Sequence, residues 1–145
     1  MSALAKEIAA LAQVGDVFCL KGTLGAGKSF FAKNFVNSLQ EKPTEVLSPT
    51  FNLVYSYDTK KGEVFHFDLY RIKNASELEN IGFFDALENG ICLIEWPEIA
   101  ADFLPNNCQE IEIKTTKNEE EREVTFLDPI LSGIQRLHQR TLQLN

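Results

Sequence analysis

An α/β fold with a mixed sheet is the class this sequence predicts, and three observations predict it. An apolar run, Val17–Leu20, enters a glycine-rich loop and is followed by a helical pattern from Lys28. A second apolar run, ICLIE at 91–95, is uninterrupted, as in a strand buried on both faces of a parallel sheet. Two pairs of β-rich segments, each joined by a polar turn, read as antiparallel hairpins. Parallel strands with helices then form a core that the two hairpins extend.

The elements follow in order. Residues 2–13, SALAKEIAALAQ, place Leu4, Ile8 and Leu11 at helical spacing, and Gly15 stands ready as a stop. DVFCLKG is a short strand running into the loop. From Lys28, the positions Phe31, Phe35, Val36 and Leu39 repeat helically up to Pro43. EVLSPTFNLVYSY and GEVFHFDLYRI are rich in β-branched and aromatic residues, and DTKKG between them carries the turn. SELENIGFFDALENG predicts one or two short helices, with Ser76 as N-cap and Glu79 completing a capping box. Pro97 stops the ICLIEWPE strand. QEIEIKTT and REVTFLD alternate with period two around KNEEE, a second hairpin. Beyond Pro129, Ile130, Ile134, Leu137 and Thr141 share a helical face, predicting a C-terminal helix over about 129–143. With no internal repeat or linker, residues 1–145 read as one domain.

Composition narrows the function. A hydrophobic content of 44% is that of an ordinary globular domain. No apolar run reaches membrane-spanning length and no leader pattern opens the chain, so a cytoplasmic protein is expected. Cys19, Cys92 and Cys108 are widely spaced and accompanied by only His66 and His138, which argues for buried thiols and against zinc. The net charge of −7 repels a phosphate backbone, so autonomous nucleic-acid binding is disfavoured. A partner would have to supply the basic surface.

The chemistry is carried first by GTLGAGKS, Gly22–Ser29, a complete G-x-x-x-x-G-K-[ST] sequence between a strand and an amphipathic helix. Glycines let backbone N–H groups turn toward phosphates, and the helix N-terminus adds its positive dipole end. Lys28 is the residue to reach the β- and γ-phosphates, and the Ser29 hydroxyl is a Mg²⁺ ligand. Leu24, Gly25, Ala26, Gly27, Lys28, Ser29 and Phe30 are thus the candidate ATP-binding residues of a P-loop NTPase fold.

An acid at the end of a second strand should hold Mg²⁺ or its water. Glu95 closes the fully apolar strand expected beside the P-loop strand and is the favoured metal-side acid. Asp68 closes VFHFD and would orient Mg²⁺-bound or attacking water; a solvated carboxylate or an ion pair with Arg71 is its plainer reading. Trp96 follows Glu95 at the mouth where α/β sheets meet ligands, which tells against a purely core role. SPTF, Ser48–Phe51, holds Thr50 on a proline-stiffened loop that could sense the γ-phosphate, although alone the signal is weak and a plain β-turn is the stronger reading.

GTLGAGKS, SPTFNLVYSY, HFDLYR, ELENIGFFDAL and ICLIEWPE, in this order, resemble the bacterial TsaE family, the ATPase component of tRNA threonylcarbamoyladenosine biosynthesis. The resemblance runs from the first helix to the IEIKT strand. It implies a weak ATPase that binds ATP and Mg²⁺ and acts on the TsaB–TsaD pair, with tRNA reached through those partners. By position it implies a phosphate lysine at Lys28, metal ligands at Ser29 and Glu95, residues important for activity at Asp68 and Trp96, and a switch-like loop at Thr50. Thr23 departs from the usual aspartate and Ser29 from the commoner threonine, and both keep the chemistry. Relatives often carry a segment before the first helix that helps form the adenine pocket, so no N-terminal adenine contact is assigned here.

Two enzymatic rivals fit less well. A small-molecule kinase needs an arginine-bearing lid, and Arg71, Arg122, Arg136 and Arg140 are not clustered in one insertion. A GTPase needs N/T-K-x-D, whereas TKNE at 116–119 ends in glutamate. A nucleotide-stabilised interaction module would not need both Glu95 and Asp68.

Overall fold

The computed structural model describes residues 1–23, 25–42, 46, 52–127 and 137–143. Strand β1 (Val17–Lys21) lies in the middle of a seven-stranded sheet of order β2-β3-β4-β1-β5-β6-β7. The other strands are β2 (Val54–Thr59), β3 (Gly62–Asp68), β4 (Ile91–Glu95), β5 (Gln109–Thr115), β6 (Glu121–Leu127) and β7 (Leu137–Gln143). β3, β4, β1 and β5 run parallel, and β2, β6 and β7 are antiparallel additions at the two edges. Both hairpins form as predicted. β5 does double duty, pairing in parallel with β1 on one side and antiparallel with β6 on the other.

Helices cover both faces. On one, α1 (Ser2–Leu11) and α2 (Lys28–Ser38) bury Leu4, Ile8, Phe31, Phe35 and Val36 against Phe18, Leu20, Leu93, Ile111 and Ile113 of the sheet. Phe18, Phe31 and Phe35 are fully buried, and the Phe18 and Phe35 ring centroids lie 5.5 Å apart. Removing such a ring from water contributes roughly 1.5–3 kcal/mol. Three of them fix α2, and with it the two residues that begin it, Lys28 and Ser29. On the other face, α3 (Glu77–Asn80), α4 (Phe83–Asn89) and a 3-10 helix (Pro97–Phe103) cover Cys19, Phe67, Cys92 and Ile94. Burial raises the thiols of Cys19 and Cys92, the latter to about 12, so both serve as small apolar side chains. Among the described residues no helix is long and apolar enough to cross a membrane.

Two local expectations are corrected. Ser76 precedes α3 but caps nothing with its side chain. Glu77 Oε2 instead accepts from the Lys73 and Asn74 N–H groups, and Asn74 Oδ1 accepts from Ser76 N–H. A helix of four residues leaves its capping to the preceding turn. The second correction concerns the expected C-terminal helix over about 129–143. Residues 137–143 form strand β7, antiparallel to β6, while 128–136 lie outside the described residues. Without β7, β6 would present an unpaired ladder, and filling that edge outweighs a helical pattern only weakly apolar. The alternation suits it: Thr141 is exposed, Leu142 packs toward the core, and the Arg140 guanidinium lies 5.4 Å from the Phe126 ring centre. The Met1 ammonium donates to Gln143 O at 2.8 Å, tying the strand to α1.

Candidate functional site

The candidate site lies where β1, β3 and β4 end, the side on which open α/β sheets receive ligands. β1 leaves the sheet at Lys21 and passes so closely over β5 that a Cβ on Gly22 would meet Ile113 O at 2.4 Å. Gly22 also has φ +153°, so only glycine lets the loop begin here. The loop ends at Gly27, left-handed at φ 117°, directly before Lys28 opens α2. A strand thus turns into a helix within a few residues, and the N–H groups of the first turn face the space above the sheet.

Lys28 is buried, with 4% of its surface exposed. Its Nζ donates to Gly22 O at 2.6 Å and Thr23 O at 3.0 Å, and lies 4.1 Å from the centre of the Trp96 ring. Burial lowers its pKa below the ordinary lysine value, while Glu95, Asp68 and Glu98 pull it back upward. Ser29, one residue on, donates to Glu95 Oε1 at 3.1 Å and Oε2 at 3.0 Å.

The two acids come from neighbouring strand ends. Asp68 of β3 and Glu95 of β4 are register partners, and both are buried. Asp68 Oδ1 accepts from Tyr70 N–H at 3.0 Å, and Leu69 N–H donates to Glu95 O at 3.0 Å, so the chain beyond β3 is stitched to the end of β4. Trp96 then takes φ 56° and ψ 60°, left-handed values that a bulky side chain rarely adopts. That turn lays its indole over the Lys28 ammonium and against Tyr70, ring centroids 4.9 Å apart.

Lys28, Ser29, Asp68, Glu95 and Trp96, predicted from separated stretches, therefore converge. Gly25, Ala26 and Gly27 form the loop around them, and Phe30 is half-buried against the α2-side core. Leu24 and Thr50 lie outside the described residues. Among those described, no group of three or more His, Cys, Asp or Glu side chains is arranged to hold a metal by itself. One hydroxyl and one or two carboxylates, completed by phosphate oxygens and water, is the donor set that suits Mg²⁺. The residues present fit that ion together with a nucleoside triphosphate.

Two participants escaped sequence reasoning. His66, fully buried on β3, has Nε2 2.6 Å from Glu95 Oε2. Its signal was the spacing His66-x-Asp68, which puts both on one face of a strand. Arg122 of β6 reaches across the sheet: Nε donates to Ala26 O at 2.7 Å, and NH1 to Glu119 O and Glu121 O at 2.6 and 2.7 Å. It grips the loop from behind, turning a carbonyl away from the cradle. No local pattern announces a contact spanning 96 residues.

The grip yields a prediction. Arg122→Ala strands a buried carbonyl and removes charge-assisted bonds worth roughly 1.5–3 kcal/mol. The thermal midpoint should fall by about 4–10 °C, and where the loop cradles ATP as its sequence predicts, that affinity should weaken about tenfold, as read by thermal unfolding and calorimetric titration. Unchanged affinity would mean that the loop keeps its shape without Arg122.

The chain is similar to known proteins in sequence and fold. The family model described as "Threonylcarbamoyl adenosine biosynthesis protein TsaE" matches residues 1–124. A tRNA threonylcarbamoyladenosine biosynthesis protein TsaE from Rickettsia prowazekii is 40% identical over 114 residues, 79% of each chain. One from Aquifex aeolicus is 47% identical over 96 residues, 66% of this chain and 68% of its own. The crystal structure of YdiB from Bacillus subtilis superposes with a TM-score of 0.65 at 35% identity, covering 86% of this chain and 76% of that one.

Proposed function

The chain belongs to the TsaE family, and on that premise we propose that it is a Mg²⁺-dependent ATPase supporting tRNA threonylcarbamoyladenosine modification through the TsaB–TsaD pair. One observation carries the reading. The Ser29 hydroxyl, at the start of the loop-capped helix, lies within 3.1 Å of both carboxylate oxygens of Glu95 at the end of the adjacent strand. That is the hydroxyl-and-acid pair a P-loop enzyme uses to share Mg²⁺ with its nucleotide.

The roles follow from the side chains. Lys28 already turns its ammonium toward carbonyl oxygens, and a phosphate oxygen is a stronger acceptor for the same group. Its lowered pKa reflects water lost on burial, and a phosphate dianion would compensate the charge. Ser29 and Glu95 would hold Mg²⁺, which when bound neutralises charge developing on the phosphates. Asp68, the register partner of Glu95, would orient a water for attack. Trp96, with Tyr70 packed against it, covers one side of the Lys28 ammonium. The arginines of the sequence are not gathered in one insertion, as a kinase lid would need, so water is the favoured acceptor of the phosphoryl group.

A net charge of −7 fits a protein that reaches tRNA through others. The test is ATP turnover and tRNA modification in a mixture of this protein, TsaB, TsaD and tRNA. Hydrolysis should be slow alone and rise about tenfold or more with the partners, and omission of the chain should halt repeated modification. The absence of both effects overturns the proposal. Transfer of label from ATP to a small molecule would favour a kinase.

A further inference from the structure

We infer that His66 is a positioning residue that aims the Glu95 carboxylate at the metal side of the site; this rests on the ATPase reading above. A carboxylate only accepts, so in the 2.6 Å contact the hydrogen sits on His66 Nε2 and is donated to Glu95 Oε2. The other ring nitrogen, Nδ1, is buried and has no hydrogen-bond partner among the described residues. Among the described residues the ring is thus anchored by hydrogen bonding only at the Glu95 end.

That asymmetry is informative. His66 is wholly buried, next to Leu93 in register and between Val64 and Asp68 on one face of β3. A leucine would suit such a position for packing and would leave no ring nitrogen stranded. What histidine adds is the bond to Glu95. Glu95 in turn has three contacts on its two oxygens: Ser29 on both and His66 on Oε2. Without His66 the carboxylate loses the partner that lies on the sheet side and can rotate about its last torsion. With it, Oε2 is pinned and the carboxylate keeps both oxygens within 3.1 Å of the Ser29 hydroxyl. Residues that orient a ligand in this way typically tune metal affinity by 10–100-fold.

The experiment measures ATP binding by calorimetry with Mg²⁺ and in excess chelator, for the wild type, His66→Leu and His66→Gln. The chelator arm reads the loop and Lys28 alone. His66→Leu should keep that affinity within about twofold and lose about tenfold or more of the Mg²⁺-dependent gain. His66→Gln, whose side-chain amide can donate from a similar place, should recover most of the gain. A leucine variant retaining the full gain overturns the inference and leaves the ATPase reading standing. A wild type without any Mg²⁺-dependent gain overturns the ATPase reading itself. Should the leucine variant fail to fold, nitrogen NMR of the wild type decides: a hydrogen on Nε2 whose resonance moves when Mg²⁺-ADP is added supports the inference, and an unprotonated Nε2 or an unresponsive ring refutes it.

Discussion

Lys28→Ala is expected to weaken ATP binding by about 10–150-fold, the equivalent of losing one hydrogen bond to a charged group. Hydrolysis should fall further, by about 10²–10³, because the same ammonium meets the charge that develops during transfer. The loss should come without unfolding. Burial lowers the pKa of Lys28 below its unfolded value near 10.5, so protonation in the fold is disfavoured relative to the unfolded chain. Between the lowered value and 10.5 the unfolded chain binds more protons, and wild-type stability should rise with pH in that window. Lys28→Met keeps the stem, removes the charge, and should flatten that slope while being at least as stable at pH 7 without nucleotide. Denaturant titrations at several pH values, beside ATP titrations, check both halves. A methionine variant that binds ATP normally, or one that is clearly less stable, would contradict the role given to Lys28.

What was legible in the sequence shares one property: it was written within a few neighbouring residues. The loop from Gly22 to Ser29 carries its own strand before and helix after, so both context and chemistry are local. ICLIE is apolar up to its last residue because β4 has β1 on one side, β3 on the other and helices on both faces. That burial is what made Glu95, its one charged residue, stand out. Asp68 was equally visible as a strand end, but its pairing with Glu95 needed the register.

What was not legible depends on distant partners. Leu137–Gln143 has no strong period of its own, and only the open edge of β6 makes it a strand. Arg122 sits in an acidic hairpin where a solvated arginine would look the same; its target is the back of the loop. His66 was hidden differently, inside a recognisable strand, as a polar residue whose burial could not be read from alternation. The site's active side is therefore a local signature, and its supporting shell is a property of the fold.

The two acids should separate when each is neutralised. Glu95→Gln removes one metal-side charge but leaves an amide that can still meet Ser29 and the His66 Nε2–H. Asp68→Asn likewise keeps an acceptor for Tyr70 N–H. Neither change opens a cavity, so losses of function cannot be blamed on packing. Glu95→Gln should abolish the Mg²⁺-dependent gain in ATP affinity and reduce hydrolysis by about 10²-fold or more, as removal of one preorganised electrostatic group does. Asp68→Asn should leave Mg²⁺-ATP affinity within a few-fold and lower kcat by a comparable factor, because its part begins only when water is aligned. Stability without nucleotide should move the other way. Both carboxylates are buried, a desolvation cost that the Lys28 ammonium partly offsets. Removing one charge should hold the thermal midpoint or raise it by about 2–4 °C. A site kept at the expense of stability is the signature of function over folding. A fall of several degrees in either variant would mean that the acids stabilise the fold, and equal loss of Mg²⁺-ATP affinity in both would merge the two roles assigned here.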